Sequence, residues 1–147
     1  MEFFAALETL APIEALKVSF YVYPFVNGLH ILSIGTLVVS VLLLDLRILG
    51  AFASLPEAAA ARVFRRLSFI GFGGAVGTGV PMFAIQATTY VANPAFRIKM
   101  ALLLLAGFNA ALFAIWPAQT ARRGLATLSL ALWLGVLFAG RFIGFVE

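Results

Sequence analysis

The chain has no cysteine, a single histidine, and only 11% charged residues among its 147. Without cysteine there is no disulfide, no thiolate metal site, no iron-sulfur cluster and no covalently attached c-type haem. One histidine and three methionines cannot make a self-contained zinc or copper site of the usual kind. No serine stands with a histidine and an acid in a hydrolase arrangement, and no glycine-rich stretch is followed by the Lys and Ser/Thr of a phosphate loop. Acidic residues are also scarce, with Asp45 alone falling near a hydrophobic run, where it reads as a local pair with Arg47. A proton relay normally wants a carboxylate deeper than that.

What the chain does have is hydrocarbon. Hydrophobic residues make up 63% of it, in runs of about 20, the length a helix needs to cross roughly 30 Å of bilayer core. The predicted fold is all-α: an integral membrane, antiparallel four-helix bundle forming one domain over residues 1–147, with spans at about 20–44, 67–92, 95–116 and 125–146. Before the first span, Phe3, Phe4, Leu7, Leu10, Ala11 and Ile13 recur at helical spacing between Glu2, Glu8 and Glu14. This predicts an N-terminal amphipathic helix on the membrane surface, bent or divided at Pro12. The N-terminus lacks the positive start of a signal peptide.

The net charge of +4 does not point to nucleic acid, because the basic residues stand singly or in pairs at span ends, where membrane lipids account for them. The loops between spans one and two and between three and four carry Arg47, Arg62, Arg65, Arg66, Arg122 and Arg123. The opposite side has Lys17, Arg97, Lys99 and Arg141 with three glutamates. The excess of basic residues on the first side predicts that both termini lie outside.

Ionisable groups inside a span are costly and mark candidate sites. His30 lies about ten residues, roughly 15 Å, inside the outer end of span one. It belongs to a polar stripe of Tyr23, Asn27, His30, Ser33, Thr36 and Ser40. Span two has a matching stripe of Thr78, Met82, Gln86 and Thr89, and its Met82 is placed at nearly the depth of His30. Arg97, Lys99 and Arg141 gather three cations at the outer ends of spans three and four, with Glu147 the one acid nearby. A b-type haem would use all of these features: His30 on the iron, the glycines at 71, 73, 74, 77 and 79 as a flat slot, and Arg97, Lys99 and Arg141 for the propionates. The second axial position would fall to Met82, to His30 of a second chain in a homodimer assembled through the glycine-rich faces, or to nothing. A quinone also wants a histidine, the neighbouring Asn27 and aromatic walls.

Each feature also has a plainer explanation. A histidine on a polar stripe can hydrogen-bond a neighbouring helix, glycines can pack helices, arginines at helix ends reach headgroups, and a methionine can fill a core. The alternatives to haem binding with an electron-transfer or porphyrin-handling role are therefore a non-enzymatic membrane scaffold or accessory subunit, and a small-solute or metal-ion permease lined by the polar stripes. No catalytic residues are assigned.

The segments HILSIGTLVVSVLLLDLRILG and NPAFRIKMALLLLAG carry a resemblance. A histidine early in the first span and a basic opening to the third resemble copper-resistance-D-like proteins and the haem-binding membrane protoporphyrinogen oxidase family. The overall layout resembles a family of short bacterial four-span membrane proteins. In the oxidase family a first-helix histidine and a third-helix lysine matter for function, and the matching positions are His30 and Lys99. The tryptophan and additional histidine of that family's helices are missing, so the resemblance implies a porphyrin-binding bundle rather than a particular reaction.

Overall fold

A computed structural model describes residues 2–115 and 119–146. The chain is all-α, and its order is α1 (Glu2–Glu8), α2 (Ala11–Val18), α3 (Val22–Leu49), α4 (Glu57–Ile85), α5 (Ala87–Ala92), α6 (Pro94–Ile115) and α7 (Gln119–Phe142). Helices α3, α4, α6 and α7 are each long and apolar enough to cross a membrane. Their large side chains face outward, Phe69 at 70% exposure and Leu104 at 73% among them. Such a surface is stable against lipid and not against water.

The helix ends differ from the sequence expectation for identifiable reasons. Span one was predicted to stop near residue 44, where charge appears, but charge marks the limit of the hydrocarbon rather than of the helix. The helix α3 runs on through Asp45 and Arg47 until Gly50, whose φ of +113° only glycine adopts readily. Span two was predicted to continue to residue 92. Pro81 removes one backbone donor inside α4, and the helix breaks at Gln86, leaving α5 as a separate short element. Pro12 does divide the N-terminal segment, standing in the first turn of α2. Trp116, the expected end of span three, lies outside the described residues.

Helix α3 packs against α4 on one side and α7 on the other, and α6 packs on α7, so the lateral order is α4, α3, α7, α6. Among the described residues α4 and α6 do not pack backbone to backbone, and their side chains meet where Phe83 stacks on Phe96. The buried core is Leu37 and Val38 with Ala106, Leu132, Trp133 and Val136. At the arginine-rich end, Arg122 and Glu57 form an ion pair at 2.7 Å that ties α7 to α4. At the other end, where the termini lie, Asn93 accepts the N–H of Phe96 at 3.1 Å and donates to the carbonyls of Ile143 and Val146 at 3.2 and 2.6 Å. Cap and tether thus share one side chain.

The same end is closed by α1. Phe4 meets Phe83 edge to face, Phe83 stacks on Phe96 at 5.4 Å, and Tyr90 flanks both. Glu8 accepts the N–H and the hydroxyl of Thr88 at 2.8 and 2.7 Å. The Thr88 backbone N–H, then its hydroxyl, hold the Glu8 carboxylate below its ordinary 4.5. A depressed carboxylate contributes stability above its ordinary value and loses it as the pH falls through the lowered one. The protection of the α1 amides, taken relative to unstructured amides at the same pH, is therefore expected to hold above pH 4.5 and to fall in stronger acid. Glu8→Gln should flatten that dependence, and an unchanged profile would show that Glu8 does not hold the segment.

Candidate functional site

Glycine sets how closely α3 and α4 approach. A Cβ on Gly71 would lie 2.6 Å from the Leu37 nitrogen and 2.8 Å from the Ser33 carbonyl oxygen, and one on Gly74 would strike the Ser33 side chain. One on Gly79 would lie 2.9 Å from Cε1 of His30. These three glycines, read from sequence as part of a flat slot for a macrocycle, are instead filled by helix α3 of the same chain. A Cβ on Gly73 or Gly77 would meet nothing outside its own helix backbone within 4 Å.

The close approach places His30 beside Thr78, with Nδ1 2.8 Å from the threonine hydroxyl. That hydroxyl donates its one proton to the Gly74 carbonyl at 2.6 Å. With the hydroxyl proton on the Gly74 carbonyl, Thr78 accepts from the imidazole, which is the tautomer with hydrogen on Nδ1 and the lone pair on Nε2. Among the described residues the ring's one hydrogen bond of good geometry is that to Thr78, with the Ala75 carbonyl also close to the ring, and Nε2 is not sealed from its surroundings. This is the second-shell arrangement seen in metal-ligating histidines, where the far nitrogen is fixed and the near one left bare.

Lys99, from α6, is half-buried, and its chain passes close to α7, where a Cβ on Gly140 would lie 3.6 Å from its Cδ and Cε. Its charge reaches the His30 imidazole. Among the described residues no carboxylate pairs with it. His30 and Lys99 are thus within electrostatic range of each other, from α3 and α6.

The other expected site residues are dispersed. The α3–α4 register sets Leu37 and Ser33 against Gly71, and His30 against Thr78 and Gly79. Met82 therefore falls about one turn beyond His30 rather than level with it, and it lines a separate cavity. Arg97 is exposed and donates to the Val91 carbonyl at 2.7 Å. Two residues apart on a helix is about 200° around the axis, so Arg97 cannot share the inward face of Lys99. Arg141 is exposed too, its guanidinium 4.8 Å above the Phe145 ring. Asn27 is half-buried one turn from His30, and among the described residues its side chain makes no hydrogen bond.

Sequence reasoning missed a buried polar pair. Asp45 is only 3% exposed, with the Ser129 side chain facing its carboxyl and Oδ2 left without a partner. It does not pair with Arg47, which turns away and donates to the Leu55 carbonyl at 2.6 Å. Two-residue spacing forbids that pair for the same angular reason. The signal for Thr78 was present in its polar stripe, but the glycine-set register was needed to aim it at His30.

No family model, curated protein or solved structure matches the chain.

Proposed function

We propose that the chain is a haem b-binding protein of the bacterial plasma membrane, with both termini outside and an electron-transfer or porphyrin-handling role. The observation that carries this is the His30–Thr78–Gly74 relay, which orients the imidazole through Nδ1 inside a membrane-length helix. The donor set fits in part. His30 supplies the axial nitrogen, and Lys99 supplies a cation for an anionic group. Met82, Arg97 and Arg141 do not converge on His30 and drop out of the binding set. Bound there, haem would supply one-electron exchange. The protein's own contribution is to orient the imidazole through Thr78 and hold a positive charge at Lys99.

Titrating haem into the purified protein tests this. A saturable shift and sharpening of the Soret band away from that of free haem is expected for the native chain and for Met82→Ala, and its loss in His30→Ala. A missing shift in the native chain would sink the proposal, and so would an unchanged one in His30→Ala.

The scaffold reading has one observation in its favour, since the His30–Thr78 bond and the glycine contacts are complete as helix packing. Interhelical hydrogen bonds of this kind average about 0.6 kcal/mol in a membrane protein, with about 1.7 at most. On that reading His30→Ala costs a small amount of stability and changes no spectrum.

A further inference from the structure

Beyond His30, toward the end where the termini lie, a cavity of about 250 Å³ opens between α2, α3, α4 and α5, lined by Lys17, Tyr23, Met82, Ile85, Gln86 and Tyr90. Tyr23 precedes His30 by seven residues, which puts it on the same face of α3 and roughly 10 Å further along the axis. Ile85 bears the same relation to Thr78 on α4. The cavity and the His30–Thr78 pair are therefore stacked along one seam.

The polar chemistry of the cavity is one-sided. Lys17 brings an ammonium, Tyr23 and Tyr90 bring hydroxyls, and Gln86 brings an amide. Among the described residues none of these four side chains donates to another protein group, and no carboxylate lines the space. Glu8, whose charge interacts with Lys17, is already committed to Thr88, and Glu14, one turn before Lys17 on α2, is exposed and does not line the cavity. Burial, with Tyr23 beside it, pushes the Tyr90 phenol up from its ordinary value, so it remains a donor at neutral pH. Met82 and Ile85 add an apolar wall. A volume below the roughly 300–1,000 Å³ of sites for drug-sized molecules admits a small body or one end of a larger one.

We infer that this cavity is a carboxylate-binding site, in which Lys17, Tyr23, Tyr90 and Gln86 receive the acid group and Met82 and Ile85 the apolar body beside it. The acid has two sources, a free small amphipathic carboxylate or an acid side chain of a flat ligand held at His30. The cavity itself does not depend on what His30 binds.

The test uses the full chain, haem-free, in lipid nanodiscs, with 4-fluorobenzoate followed by fluorine NMR. Saturable binding is expected, with none for the neutral 4-fluorobenzamide. Lys17→Met combined with Tyr90→Phe should weaken binding at least tenfold, and the phenylalanine ring preserves the stack on Phe83 and Phe96. Absence of saturable binding, or equal binding by amide and acid, would overturn the proposal, as would native affinity in the double variant. Displacement of the bound fluorobenzoate by haem, but not by haem dimethyl ester, assigns the cavity to the acid arms of a ligand at His30. Binding that haem leaves unaffected assigns it to a free acid. The Soret band reports on His30 separately, so failure at one site is not read as failure at the other.

Discussion

Gly71→Ala is expected to separate α3 from α4 and destabilise the bundle by about 1–3 kcal/mol, the usual cost of forcing extra carbon into a packed interior. The atoms a new Cβ would meet are the Leu37 nitrogen and Cα and the Ser33 oxygen, all backbone. No rotamer change can move them, so the helices themselves must shift. The same substitution at Gly73, where a Cβ would meet nothing outside its own helix backbone within 4 Å, should cost nothing and gain helix propensity. Thermal unfolding in one detergent compares the two, and equal midpoints would show that the α3–α4 contact is not as close as described. The consequence reaches the site, because the register fixed at Gly71 is what brings Thr78 to His30.

Thr78→Val is the second large effect. Valine keeps the shape but removes both the acceptor for His30 Nδ1 and the donor to the Gly74 carbonyl. Loss of a partner that orients a metal-ligating histidine typically costs 10–100-fold in affinity, and haem binding should weaken by that factor. Thr78→Ser, which retains the hydroxyl, should restore most of it. The stability change is expected to stay within the roughly 0.6–1.7 kcal/mol of an interhelical bond. A variant that lost stability but bound haem as the native chain does would assign the hydroxyl to packing alone.

These effects show what was legible in the sequence. Four spans and a divided surface segment follow from apolar run length and Pro12, because hydrocarbon thickness imposes its period directly on the chain. His30 and Lys99 were legible because an ionisable group in a span stands out from its surroundings. The partnerships were not. Depth counted from span ends set Met82 level with His30, an error of about a turn, because the expected end of span two at residue 92 lay beyond the break at Gln86. Arg97 and Arg141 looked like neighbours of Lys99 when only depth was counted, and the rotation around each helix axis sends them outward. The carboxylate-facing cavity was half visible, with Tyr23 and Gln86 on the two polar stripes. Lys17 and Tyr90 come from short elements whose packing the spacing alone does not specify.

The most direct test of the account is the visible spectrum of haem-reconstituted His30→Gly with and without added imidazole. Removing the side chain leaves a space beside Thr78 that free imidazole can occupy. The account predicts that the Soret band of the native chain is lost in the variant and returns, saturably, as imidazole is added. A band that persists in His30→Gly without imidazole, or a native chain that shows none, would contradict it.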